Sequence, residues 1–194
     1  MRYHDIVKDD MRNGDGLRAT LFVAGCNHYC EKCHNPETWD ENGGIDFEEK
    51  DLNELLEIVN KPYISGVTFS GGDPLFPSNR DEIGKIARLV KDIPEKTVWL
   101  YTGYTLQIEN GEFCFVDEVT NETFTLDWLD KIDVIVDGPY IDSLNSQKYE
   151  WAGSTNQRVI DVKNTLLYKN IILKKNKNYT VDELTKQESC GCDS

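Results

Sequence analysis

Three cysteines within eight residues, Cys26, Cys30 and Cys33, are the side chains in this sequence best suited to chemistry. Their spacing is Cys-x3-Cys-x2-Cys. A cluster of four irons and four sulfides asks for one thiolate per iron. Three thiolates leave one iron without a protein ligand, and an open coordination position is where a metal site reacts. Two plainer uses compete. Structural zinc takes two well-separated ligand pairs, and here the distant pair is Cys190 and Cys192, close to the C-terminus. A ferredoxin run repeats x2 gaps and has a fourth cysteine followed by proline; here the first gap is x3 and no such fourth cysteine follows. Spacing alone favours the open-site cluster and leaves zinc as its competitor.

The elements that would carry such a loop are readable around it. Residues 18–24 form an apolar run that reads as a strand leading into Cys26. Leu52, Leu55, Leu56 and Val59 make a helical stripe over 50–60. The run 66–70 reads as a strand ending at Gly71-Gly72, and Ile83, Ile86, Ala87 and Val90 mark a helix over 79–92. Ser78 and Asp81 supply its capping signal. Short strands are expected at 97–101 and 132–136, and later ones at 158–162 and 166–173. This alternation argues for a parallel sheet with right-handed crossovers. Residues 108–124 read as an inserted hairpin: a strand over 112–116, a turn near Thr120-Asn121-Glu122, then Thr123-Phe124-Thr125. Residues 1–173 are expected to form one domain, and 174–194 a loosely ordered tail. Cys114, inside the insertion, reads as a small buried residue.

The chain of 194 residues, 39% hydrophobic and 10% aromatic, is long enough for a sizeable core. Its formal net charge of -14 argues against nucleic acid or an anionic membrane as partner. A protein partner with a basic docking face stays open. The polar start, Met1-Arg2-Tyr3-His4-Asp5, does not read as a signal peptide, and no apolar stretch approaches transmembrane length. Clustered cysteines suit a reducing cytoplasm.

Wider motifs surround the triplet. Asn13-Gly14-Asp15-Gly16-Leu17-Arg18 precedes the first predicted strand, and Cys33-His34-Asn35-Pro36-Glu37-Thr38-Trp39 closes the cysteine loop. Ser70-Gly71-Gly72-Asp73-Pro74-Leu75, Tyr101-Thr102-Gly103-Tyr104 and Val136-Asp137-Gly138-Pro139-Tyr140 follow. The triplet resembles the signature of the radical S-adenosylmethionine (radical SAM) enzymes. The whole set, over residues 1–162 with an interruption near 107–126, resembles the activating proteins of anaerobic ribonucleoside-triphosphate reductases.

The resemblance implies an α/β fold: a partial (β/α) barrel of roughly six parallel strands, with the inserted hairpin and a C-terminal extension. It implies one [4Fe-4S] cluster on Cys26, Cys30 and Cys33, with S-adenosyl-L-methionine chelating the open iron. One electron, from a donor such as flavodoxin, would cleave that molecule to a deoxyadenosyl radical. The radical would then create a glycyl radical on the large chain of the reductase. For the S-adenosylmethionine contacts it implies Lys32, Cys33, His34, Gly71, Gly72, Asp73, Thr102 and Asp137, the last with a cation as a further use. Asn35 and Trp39 would shape the loop, His28 would not be a ligand, and Asn156-Gln157-Arg158 resembles a family segment at the barrel edge. The alternatives are an activase of another glycyl-radical enzyme, a small-molecule radical SAM enzyme, or a non-catalytic iron–sulfur or zinc protein.

Overall fold

A computed structural model describes residues 1–146 and 150–174. Its spine is four parallel strands, β2 (Arg18–Val23), β4 (Gly66–Gly71), β5 (Thr97–Tyr101) and β9 (Val134–Asp137). These are the apolar runs that the sequence marks as strands. The flanks are antiparallel. On one side β1 (Arg2–Asp10) pairs with β2, and β3 (Ile45–Asp46) pairs with β1. On the other, β10 (Arg158–Asp161) pairs with β9. The seven strands lie in the order β10-β9-β5-β4-β2-β1-β3.

The expected partial barrel of six parallel strands is therefore corrected to a mixed sheet with four. A parallel neighbour needs a long crossover, and only two crossovers carry a full helix: α1 (Glu49–Val59) before β4 and α2 (Arg80–Lys91) before β5. Between β5 and β9 the chain instead builds a second sheet of β6 (Thr105–Glu109), β7 (Glu112–Val116) and β8 (Thr123–Phe124). The expected strand at 166–173 is also corrected, to the helix α3 (Val162–Tyr168). There the Asp161 carboxylate accepts the Asn164 N–H at 3.0 Å as an N-cap, and Lys169 ends the helix in a left-handed conformation.

Helices α1 and α2 cover one face of the sheet. Leu55, Ile58, Ile83, Ile86 and Val90 pack there with Leu21, Val67, Phe69, Val98 and Leu100. Helix α1 starts with a capping box of Glu48 and Asp51. In α2 the expected cap from Ser78 and Asp81 does not form; Asn79 is the N-cap and makes no side-chain cap bond. The opposite face carries a smaller cluster of Trp99, Val134, Val136, Ala152 and Val159. Beside it Arg18 is fully buried. Its guanidinium donates to Thr68 Oγ1 (2.7 Å), the Val67 carbonyl (2.7 Å) and the Thr97 carbonyl (2.9 Å), and lies over Trp99. The N-terminal ends of β2, β4 and β5 are thus tied by one side chain, which leaves their C-terminal ends to carry the cysteine loop. The proposed tail beyond Lys174, with Cys190 and Cys192, lies outside the described residues. Among the described residues no helix is long and apolar enough to cross a membrane.

Candidate metal centre

Strand β2 ends at Val23, in register with Gly71 at the end of β4. The cysteine loop leaves from that point and is anchored at once by main-chain bonds. The Gly25 N–H donates to the Thr38 carbonyl (2.8 Å) and the Cys26 N–H to the Trp39 carbonyl (3.1 Å). Those two acceptors are in place because Pro36–Thr38 coils into a 3-10 turn, which Pro36 opens. The expected loop-shaping role of Trp39 is in this sense its backbone, while its ring meets Tyr29 edge-on at 5.3 Å. From the other side the Gly72 N–H donates to the Val23 carbonyl and the Asp73 N–H to the Gly25 carbonyl. Asn79, instead of capping its helix, donates to the Ala24 and Asp73 carbonyls at 2.9 Å each.

All three thiols of the triplet are free and partly accessible. They line one cavity of about 660 Å³ whose wall includes Gly71 and Gly72. Among the described residues no three His, Cys, Asp or Glu side chains converge as a single-ion site requires. Burial, aided by the charge of Asp73, pushes the Cys26 thiol up to about 12; burial also raises Cys30. Thiols held this way are poor nucleophiles and become thiolates when a bound cation displaces their protons. The Asn35 N–H points at Cys33 Sγ, 3.4 Å away, the kind of N–H···S contact that tunes iron–sulfur centres. Three thiols on one cavity wall, with an N–H turned to sulfur, fit a four-iron cluster. Cys114 is buried in β7, away from this cavity, as its sequence reading expects.

The cavity gathers several of the other expected residues. His34 lines it, with its ring 5.6 Å from that of Tyr140, and so do Asp73 and Thr102. Asp73 is almost wholly buried, and its carboxylate is engaged by Thr102, Gly103, Leu75 and His28. Two residues are not brought in. The Lys32 ammonium extends to Asp142 at 2.6 Å on the surface. Asp137 is fully buried outside the cavity, where it pairs with Arg158 at 2.5 Å and accepts the Leu106 N–H. Burial keeps its carboxyl above the ordinary range in spite of that arginine. A cation at Asp137 is thus already supplied by Arg158.

Gly72, on the cavity wall, also serves packing. A Cβ there would stand 2.5 Å from the Gly25 carbonyl oxygen, so the glycine lets the cysteine loop lie on the end of β4. Sequence reasoning passed over Trp151 and Gly153 and read Gln157 only as part of a family segment at the barrel edge; all three line the cavity. Gln157 accepts the Gly153 N–H (2.9 Å) and donates to the Gly138 carbonyl (3.0 Å). The Asn156-Gln157-Arg158 run was the available signal.

Comparison with known proteins agrees with this centre. The family described as "4Fe-4S single cluster domain" matches residues 12–160. The chain is 41% identical over 160 residues to the anaerobic ribonucleoside-triphosphate reductase-activating protein of Enterobacteria phage T4, covering 82% of this chain and 93% of that protein. It is 36% identical over 162 residues to the protein of the same name from Escherichia coli K12, covering 82% and 97%. The Vibrio cholerae protein of that name is 36% identical over 160 residues, covering 81% and 96%. The chain therefore belongs to the family of anaerobic ribonucleoside-triphosphate reductase-activating proteins and carries its 4Fe-4S domain.

Proposed function

We propose that this chain is the radical SAM activase of an anaerobic ribonucleoside-triphosphate reductase. The observation that carries the reading is the triplet on the wall of one open cavity: three thiols, with Cys114 turned elsewhere. When bound, the cluster supplies one electron to S-adenosylmethionine, whose cleavage gives a radical able to take hydrogen from a backbone glycine of the reductase. The chain's own residues do the holding. Cys26, Cys30 and Cys33 would hold three irons of the cluster, which would leave one iron position for the methionine end of the ligand. Gly71 and Gly72 lie on the cavity wall that would face that end. The His34 and Tyr140 rings offer a flank for the adenine. Thr102 and Gln157, both on the cavity wall, limit where the ribose can lie. Cys33, on the cavity wall, contributes through its backbone as well. The electron comes from a low-potential donor such as flavodoxin.

The test is electron paramagnetic resonance under argon. Reduced protein with S-adenosylmethionine should give a glycyl-type doublet only when the reductase chain is added, and no doublet when the partner's radical glycine is changed to alanine. Cleavage of S-adenosylmethionine with no doublet from the cognate reductase would overturn the activase and keep the superfamily. No cleavage at all would overturn both.

A further inference from the structure

Asp73 stands where the family resemblance puts a contact to S-adenosylmethionine, yet its carboxylate is full. It offers about four acceptor positions. Four protein donors take them: the Leu75 N–H at 2.8 Å, the Thr102 hydroxyl at 2.9 Å, the Gly103 N–H at 2.8 Å and His28 Nε2 at 2.8 Å. The side chain is also almost entirely buried. A ligand entering the cavity would have to displace one of these donors to reach it.

Three of those donors come from the ends of β4 and β5. The fourth, His28, belongs to the cysteine loop, between Cys26 and Cys30. Its side chain is 6% exposed and is fixed on two further sides. The ring meets Tyr104 edge-on at 4.6 Å. It also lies so close over the backbone of Gly103 that a Cβ there would come within 2.4 Å of it. The neighbouring Asn27 continues the seam, with its amide 3.4 Å from both the Tyr104 hydroxyl and Asp117.

We propose that His28 and Asp73 are positioning residues: a strap that fixes the cysteine loop against the ends of β4 and β5 and so sets where the cluster stands relative to the Gly71-Gly72 wall. This rests on the reading of the loop as the cluster's carrier. On the loop side the hydrogen bond holds one residue that is not itself a thiol, so its loss loosens the seat of the loop while all three cysteines remain available as ligands. Reaction between a metal-bound ligand and a partner is sensitive to placement at the ångström level, which is why such a loop needs a fixed seat.

The test uses two full-length variants. His28→Phe keeps an aromatic ring for Tyr104 and Gly103 but removes the donor. His28→Gln removes the ring but keeps an N–H of similar reach. Amide hydrogen exchange is read on the iron-free chain, and the electron paramagnetic resonance line shape on the reduced, reconstituted protein with S-adenosylmethionine. For His28→Phe, exchange in residues 27–34 should quicken at least about tenfold, the effect of losing one hydrogen bond to a charged group. Iron per chain should stay near that of the parent, and the cluster signal should broaden. His28→Gln should return both readouts towards the parent. Parental exchange and line shape in His28→Phe would overturn the strap, as would a His28→Gln protein as loose as His28→Phe. If His28→Phe fails to fold, His28→Gln decides alone: parental protection upholds the bond and a loosened loop overturns it. The exchange readout involves neither cluster nor partner, so its failure is separable from a failure to produce the glycyl radical.

Discussion

At the scale of single residues, the cysteine triplet was legible and the side chains that support its loop were not. Cys26, Cys30 and Cys33 announce themselves by spacing because a loop-borne cluster draws its thiolates from one short segment. The bond between His28 and Asp73 joins positions 45 apart in sequence, and no local pattern encodes it. The same holds for Asp137, whose partner Arg158 sits on the adjacent antiparallel strand. Two expectations belong here. Each of Cys26→Ala, Cys30→Ala and Cys33→Ala should lose cleavage of S-adenosylmethionine under a strong artificial reductant. One variant with parental turnover would remove that cysteine from the centre. Gly72→Ala should do damage of a different kind. The new methyl presses on the Gly25 carbonyl, backbone on which Cys26 depends, and overpacking of this sort costs about 1–3 kcal/mol. The variant should melt earlier and retain less iron after gel filtration. Parental melting with only a weakened ligand affinity would instead show that the methyl disturbs the ligand and not the Gly25 carbonyl.

At the scale of elements, the apolar runs named β2, β4, β5 and β9 and the stripes named α1 and α2. Their alternation with helices pointed to the parallel sense that these four share, but not to the antiparallel flanks β1, β3 and β10, where the chain returns without a helical crossover. Strand β1 escaped notice because its burial is irregular and its exposed positions are charged. The hairpin's main turn escaped notice although Asn110-Gly111 is a strong local signal. Both residues have positive φ, and β6 and β7 pair across them. A Cβ at Gly111 would meet nothing within 4 Å, so Gly111→Ala isolates the backbone penalty, about 1 kcal/mol. Its melting temperature should fall by about 2–4 °C with iron content unchanged; no fall would show that this turn relaxes freely. Arg18→Ala tests the opposite end of the sheet. It leaves buried acceptors on β4 and β5 unsatisfied and opens a void beside Trp99, and should cost about 3 kcal/mol or more. An unshifted urea midpoint would show that the three strands hold without it.

At the scale of the whole molecule, charge decides more than fold. With 35 acidic against 21 basic residues, the chain repels itself at neutral pH, and mild acidification relieves that strain. Two buried carboxylates pull the other way once the pH is low. Burial alone would raise the Asp10 carboxyl, but bonds from Asn13, the Arg12 N–H and Thr20 hold it below the ordinary range. Asp117 is likewise held low against its burial by the N–H groups of Val119 and Thr120. A carboxylate with a depressed folded-state pKa contributes stability that is complete above its unfolded value, about 3.9. That contribution is lost as the pH falls through the folded value. The urea midpoint of the iron-free chain should therefore hold or rise slightly from pH 7 to pH 5 and fall below about pH 4. Asp10→Asn should weaken the protein at pH 6 and flatten its acid limb, because the group whose protonation drives part of the fall is gone. A midpoint that climbs steadily down to pH 3 would mean that relief of repulsion outweighs both carboxylates. An acid limb unchanged in Asp10→Asn would take Asp10 out of the account.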